Sequence, residues 1–377
     1  MRNPFDFNKI ASGEAFVGRK DEVKKLSSDF MLLTNVALTA PQGWGKSSLV
    51  RRAAEVASRR DKNLRFCHVC LSNVRNEERF YELLAKGVLM AVSKTQEEVV
   101  SNVKKYFHNI RPRVSFGDGS ILDFSVDMDW DEVRHHQDEV LALPYAVTKD
   151  MDIKMVVCMD DFQNVSLFSD PESFIDELKS GWTSFERVGF CISSTSCPVT
   201  DRFVKSSRIF GRYGEQMTLG QVGASGIMSM LKDTFADSGK FLDDEYAALM
   251  VSISEGNMFY LMQLAYLSWL ATGVVCTEDV VLQARETIAD QMNLVFETMT
   301  ASLTTQQLCY LHAVLAGETV ISTAEVLHRH HISSATSASR SKTALLEKGL
   351  VCNIYGKICF ADPMYAYWLK NRYFVEK

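Results

Sequence analysis

The sequence predicts an α/β fold with a largely parallel sheet, then a helical region, then a small helical unit closed by a β-hairpin. Three observations carry this expectation. Short apolar runs alternate with helical patterns through residues 1–220. One of those runs, Ile153–Met159, is apolar apart from Lys154, as expected of a strand buried on both faces. Beyond Leu219 the strand signal stops and helical periodicity takes over until a short hairpin pattern near the C-terminus.

A chain of 377 residues is long enough for two or three domains. The pattern breaks suggest residues 1–220 as an α/β core, 221–302 as a helical region and 303–377 as a third unit. Within the core, Asn35–Ala40 reads as a short strand ending in a loop. Ser47–Arg60 reads as a helix with Leu49, Val50, Ala53, Ala54 and Ala57 on one side. Further strands are expected at Leu64–Leu71, Ile153–Met159, Val188–Ser194 and Glu215–Leu219, with helices at Glu77–Val92 and Phe174–Glu186. The stretch Val74–Asp150 is long for one connection. It carries amphipathic helix candidates and a turn-rich piece, Gly117–Ser120, and reads as an elaborated crossover.

After Leu219, helices are predicted at Gly226–Ser238, Asp243–Ser254, Phe259–Thr272 and Thr277–Ala301. The last unit has helix patterns at Thr304–Leu315, Thr323–His331 and Ser334–Lys348. Two strand-like runs follow, Leu350–Ile354 and Lys357–Phe360, joined at Tyr355-Gly356. Three helices and a hairpin make a winged helix, a variant of the helix-turn-helix plan.

The first strand and its helix enclose Pro41-Gln42-Gly43-Trp44-Gly45-Lys46-Ser47-Ser48. This is the setting of a P-loop. Its glycines let backbone N–H groups surround phosphate oxygens, and the helix N-terminus adds partial positive charge. Lys46 is placed to reach the β- and γ-phosphates of ATP, and Ser47 to put its hydroxyl on Mg²⁺. The full pattern G-x-x-x-x-G-K-[ST] asks for Gly where this chain has Ala40. A chance Gly-Lys-Ser at a helix start is the plain alternative, and the strand–loop–helix context weighs against it.

A P-loop site also needs an acid at the end of a neighbouring strand to hold Mg²⁺. Asp160 and Asp161, which end the apolar third strand, supply it. Asp160 is the candidate metal ligand, with Ser47. Asp161 is the candidate general base, one methylene shorter than the Glu common at that place. The alternative is that the two acids merely cap the next helix.

Other features carry less. Net charge is −6 overall, but residues 304–377 hold eight Lys/Arg against five Asp/Glu. In a DNA-reading winged helix, Arg340, Lys342 and Lys348 would lie along the recognition helix. Those three charges are thin for DNA, and packing or protein contact is the stronger expectation. The nine cysteines are odd in number with no disulfide-like spacing, which suits a reducing compartment. Cys67 and Cys70 form a CxxC on a predicted strand, where side chains three apart face opposite sides. His328–His331 reads as an exposed helix end, not a metal site. No signal peptide opens the chain and no apolar run reaches about 18 residues, so a cytoplasmic location without membrane contact is expected.

These motifs, taken in order, resemble the archaeal-type P-loop ATPases on the AAA+/STAND side of the class, close to the origin-recognition initiators. Asn3-Pro4-Phe5 and Phe16-Val17-Gly18-Arg19 are similar to the family opening. The resemblance implies that this segment packs on the adenine, making Val17, Gly18 and Arg19 cofactor-binding candidates beside residues 41–48. Asp160-Asp161-Phe162-Gln163 resembles D-E-F-Q, and Ser193-Ser194-Thr195 resembles a sensor at the end of the fourth strand. Phe210-Gly211-Arg212 is similar to Tyr-Gly-Arg, which implies a γ-phosphate contact or an arginine finger for Arg212. Gly256-Asn257-Met258 is similar to a Gly-Asn-Pro element of the helical lid, with Met for Pro. Leu303 to Trp368 resembles the C-terminal winged helix.

The resemblance implies an ASCE-type P-loop NTPase core with lid and winged helix. Lys46, Asp161, Ser193, Thr195 and Arg212 are the catalytic candidates. The expected function is a Mg-dependent ATPase acting as a nucleotide-gated switch, with a protein partner or a second copy of the chain in play. The alternative is an ATP-dependent DNA-binding regulator with little hydrolysis. A small-molecule phosphotransferase is disfavoured by the appended lid and winged helix.

Overall fold

The computed structural model describes residues 4–375 except 6, 8, 12, 14–15, 118–122, 183–185, 196–197, 207–209, 211–213 and 355. The chain forms two compact units. One is Lys20–Ala40 with Lys46–Leu219; the other is Met1–Arg19, Pro41–Gly45 and Gly220–Lys377.

The first unit opens with α1 (Lys20–Met31), β1 (Val36–Thr39), α2 (Lys46–Arg60) and β2 (Leu64–Cys70). A long crossover follows: α3 (Glu77–Val92), α4 (Gln96–Tyr106), β3 (Arg113–Phe116), β4 (Phe124–Asp127), α5 (Trp130–His135) and α6 (Gln137–Met151). Then come β5 (Lys154–Asp160), α7 (Pro171–Gly181), β6 (Val188–Ser194), α8 (Pro198–Ser206) and β7 (Glu215–Thr218). The sheet runs β2-β5-β6-β1-β7, and every neighbouring pair is parallel.

The sequence expectation of a parallel sheet therefore holds, for a physical reason. Central β5 and β6 are apolar along nearly their whole length because helices cover both faces, with Val157, Phe190 and Ile192 all buried. The crossover is richer than its sequence suggested. It contains an antiparallel hairpin, β3 with β4, whose four-residue strands alternate too briefly to stand out. Of the predicted turn at Gly117–Ser120, residues 118–120 lie outside the described residues.

The second unit contains α9 (Ala224–Asp237), α10 (Asp244–Ser254), α11 (Met258–Ala271), α12 (Glu278–Gln291) and α13 (Asn293–Ala301). The single helix expected over Thr277–Ala301 is divided at Met292, where the ladder of α12 ends and α13 begins. Next are α14 (Thr305–Leu315), α15 (Ala324–Arg329), α16 (Ala335–Glu347), the hairpin β8 (Val351–Ile354) with β9 (Lys357–Phe360), and α17 (Pro363–Trp368). Of the hairpin turn, Tyr355 is outside the described residues, and Gly356 takes φ 89° as a tight reversal requires.

Helix starts follow the sequence signals. Thr304 and Gln307 form a reciprocal capping box on α14, and Ser334 caps α16. One apolar cluster runs from Phe235 and Tyr260 in the helical region to Leu345, Tyr365 and Trp368 at the C-terminal end. No helix among the described residues is long and apolar enough to cross a membrane.

Candidate nucleotide site

Three polar side chains meet at the carboxyl ends of the central strands. Asp160 is the last residue of β5, Ser193 is near the end of β6, and Ser47 lies in the first turn of α2. Ser47 Oγ and Ser193 Oγ each donate to one oxygen of the Asp160 carboxylate. Register explains the meeting. Residues β5 and β6 run side by side in parallel, Met159 facing Ile192, so the next positions on both strands emerge together. Among the described residues no group of three His, Cys, Asp or Glu forms a metal cage. One carboxylate with hydroxyl neighbours fits Mg²⁺, which favours hard oxygen donors and takes its remaining ligands from water and phosphate.

Lys46, first residue of α2, is buried, and its Nζ donates to Ala40 O at 2.9 Å. Burial pushes its ammonium below the usual lysine range, while Asp161 and Asp160 work in the opposite direction. Asp161 leaves the strand in a left-handed conformation, φ 55° and ψ 42°, which takes its side chain out of the β alternation. It stands at the cap position of the following 3-10 segment, Phe162–Leu167, yet makes no side-chain cap bond. The helix-capping explanation therefore fails for Asp161. Its carboxylate instead accepts from Ser72 Oγ at 2.6 Å and Gln163 Nε2 at 3.0 Å.

Gln163 completes the network. Its Oε1 accepts from Ser194 Oγ and from Thr195 N, both at 3.1 Å. Thr195 thus enters the site through its backbone, and the hydroxyl touching Asp160 is that of Ser193. Gln163 and Ser72 are the residues that sequence reasoning did not single out for a role. Gln163 stood within the D-E-F-Q resemblance, and that was the available signal. Ser72 follows β2 as an ordinary loop serine.

In the other unit, the loop residues Pro41–Gly45 have their own supports. Gly43 and Gly45 take φ 79° and 82°, where a side chain would be strained. Ala40 is not among the described positive-φ residues, so the one departure from the full P-loop pattern falls where glycine is not demanded. Trp44 is buried, and Gln42 is exposed. Arg19, itself buried with φ 53°, donates through Nη2 to Trp44 O at 3.0 Å and Gly220 O at 2.9 Å. Its guanidinium thereby braces the back of the loop. Gly18 has φ 73° and packs against Val222, and Val17 is half-buried. Ser48 follows Ser47 in the half-buried first turn of α2. Arg212 and Gly211 lie outside the described residues, as does Asn3.

The other sequence candidates fall elsewhere. Cys67 is buried and Cys70 exposed, as opposite faces of β2 require, and burial raises the Cys67 thiol far above its ordinary range. Arg340 is exposed on α16, Lys342 is half-buried, and Lys348 Nζ donates to Ser302 O at 3.4 Å.

Comparisons with known proteins agree with this architecture. A family model described as a probable winged helix domain matches residues 294–371. No curated protein matches the sequence. Among solved structures, the chain is similar to the Walker-type ATPase of Pyrococcus abyssi, with TM-score 0.68, 14% identity, and coverage of 97% of this chain and 99% of that one. It is also similar to the ORC1 protein of Aeropyrum pernix in complex with DNA, with TM-score 0.54, 13% identity, and coverage of 98% and 97%. The ADP form of the ORC2 protein of Aeropyrum pernix gives TM-score 0.52 at 15% identity, with coverage of 97% and 95%. Sheet order and the C-terminal hairpin unit thus agree with these likenesses: the chain has the AAA+ P-loop ATPase fold that the ORC proteins share, ending in a winged helix domain.

Proposed function

We propose that the protein binds ATP with Mg²⁺ and works as a nucleotide-gated switch that hydrolyses ATP slowly to ADP and phosphate. The observation that carries this reading is the meeting of Ser47 and Ser193 on Asp160, one residue from the lysine of a phosphate loop. Asp160 and Ser47 are the residues that would hold Mg²⁺, which would supply positive charge to offset that of the phosphates. Lys46, detached from Ala40 O, reaches the β- and γ-phosphates. Backbone N–H groups of residues 43–45 surround them. Asp161 is the base that takes a proton from the attacking water, and Gln163 holds it in register with Ser194 and Thr195. Arg212 is retained as the candidate γ-phosphate contact.

The switch follows from differential contact. The γ-phosphate makes its contacts in only one of two states, so its presence biases the equilibrium between them. The free cysteines favour a reducing setting, the cytoplasm. The test is titration of the purified chain with labelled ATP and Mg²⁺, with phosphate release followed in the same samples. Lys46→Ala and Asp160→Ala are the controls. Unchanged affinity in Lys46→Ala removes the site.

A second reading has its own support. Both Asp161 oxygens are already engaged, by Ser72 and Gln163, and Asp is shorter than Glu. That favours binding with little turnover, and the winged helix then suggests an ATP-dependent DNA-binding regulator. Duplex DNA binding that falls steeply with salt supports it, and absence of binding at low salt removes it.

A further inference from the structure

The phosphate loop is tied to the start of α11, and α11 is tied to the winged helix. Met258 N donates to Gly43 O at 2.8 Å, and Asn257 Nδ2 approaches Gln42 O at 3.5 Å. Asn257 is buried, and a Cβ added to Gly43 would lie 2.4 Å from its Oδ1, so side chain and loop are in close contact. A peptide group is planar and its C=O and N–H point opposite ways. Holding the Gln42 carbonyl toward α11 therefore turns the N–H of Gly43 away from it, while the Trp44 N–H donates to Pro41 O at 3.4 Å. The Gly43 N–H is one that the nucleotide reading needs aimed at phosphate.

Asn257 cannot drift independently. Its Oδ1 caps α11 by accepting from Tyr260 N at 3.2 Å, and its own N–H donates to Ser254 O at 2.8 Å. The preceding corner is set by Glu255 at φ 46° and Gly256 at φ 86°. A Cβ at Gly256 would meet Gln221 at 2.6 Å. One turn into α11, Tyr260 is buried, and its hydroxyl donates to Asp362 Oδ2 at 2.8 Å. The other Asp362 oxygen caps α17, accepting from Met364 N at 2.8 Å and Tyr365 N at 3.0 Å. Tyr365 then pairs with Thr300 at 2.9 Å inside the core. All of these residues belong to one compact unit.

We propose that Asn257 is a positioning residue of the phosphate loop, and that the Tyr260–Asp362 hydrogen bond carries the state of the loop to α17 of the winged helix. This rests on the reading of the loop as an ATP site and supplies the route by which that site is coupled to the C-terminal unit. The link consists of discrete hydrogen bonds between helix caps, so a shift of the loop moves a helix start and not merely a side chain.

The experiment uses the full chain and two readouts: affinity for Mg-ATP by titration, and amide hydrogen exchange across residues 364–369 with and without saturating Mg-ATP. Asn257→Ser keeps a capping hydroxyl and no charge but cannot reach Gln42, and should weaken Mg-ATP by about 3- to 10-fold with an unchanged apo melting temperature. Tyr260→Phe keeps the ring and removes the link. It should bind Mg-ATP within about 2-fold of the parent yet lose most of the ATP-dependent change in exchange at α17. Asp362→Asn keeps an acceptor for the α17 cap and a partner for the intact Tyr260 hydroxyl, and should retain that change. Parent affinity in Asn257→Ser overturns the positioning role. An α17 response preserved in Tyr260→Phe, or none in a parent that binds ATP, overturns the link while leaving the ATP site standing. A parent that binds no Mg-ATP sinks the nucleotide reading itself, and this proposal with it.

Discussion

The carboxyl ends of β5 and β6 and the N-terminal end of α16 are both rich in small hydroxyl groups, and the two regions spend them differently. At the strand ends, Ser47 and Ser193 converge on Asp160 and Ser72 on Asp161, two adjacent carboxylates. At α16, Ser333 and Ser337 both donate to the neutral Oε1 of Gln306 on α14, at 3.0 and 2.9 Å. Ser334 is used up capping α16 itself. Hydroxyls held on charged oxygens near a buried lysine make a site that a cation and a phosphate can enter. Hydroxyls held on an amide fasten one helix to another. The difference favours the strand ends for the proposed chemistry and α16 as mainly a packed element, with Arg340 and Glu347 as exposed charges of opposite sign.

The largest effect on binding is expected from Lys46→Ala. A buried ammonium aimed at phosphate contributes a charge-assisted interaction of about 1.5–3 kcal/mol, so Mg-ATP affinity should fall by about 10- to 100-fold. Titration with labelled ATP reads this directly, and parent affinity in the variant would break the assignment. The largest effect on turnover, as distinct from binding, is expected from Asp161→Asn. If Asp161 is the base, phosphate release should drop by about 10²- to 10⁴-fold while binding changes little. Asp161→Glu should raise release above the parent, since the longer side chain reaches past Ser72 and Gln163. Release equal in parent and Asp161→Asn would move the base elsewhere.

On the α16 side the effects should be structural. Gln306→Ala removes the shared acceptor of Ser333 N, which donates to Gln306 at 2.9 Å, and of the two serine hydroxyls. The chain should lose about 1–2 kcal/mol of stability, read as a lower urea midpoint, with Mg-ATP affinity unchanged. A loss of nucleotide affinity without a loss of stability would erase the distinction between the regions.

How much of this was legible in the sequence differs by region for physical reasons. Strands β5 and β6 were visible because burial on both faces writes an unbroken apolar run. The P-loop was visible because its geometry demands particular residues in consecutive order. The hairpin β3–β4 was hidden by its brevity. The Ser72–Asp161–Gln163 network was hidden because its members sit at the ends of separate elements, and only the sheet register brings residues 72 and 161 together. The break at Met292 was hidden because α12 and α13 share one helical periodicity on either side of it. Asn257 stands within the Gly256-Asn257-Met258 motif, but its seat against Gly43 depends on the corner at Glu255 and Gly256, which no local pattern reports.

The smallest effect is expected at the position that looked most irregular. Ala40 is buried, donates its N–H to Ser194 O at 3.2 Å and offers its carbonyl to Lys46. It does not stand among the described positive-φ residues, so glycine would relieve no strain there. Ala40→Gly would instead remove a buried methyl and loosen the unfolded chain, for a loss of about 1 kcal/mol in stability. Mg-ATP affinity should stay within about 2-fold of the parent, because both hydrogen bonds of residue 40 use its backbone. A marked gain of affinity in Ala40→Gly would mean that the alanine restrains the loop, and that the strand-end site works below the capacity of its remaining residues.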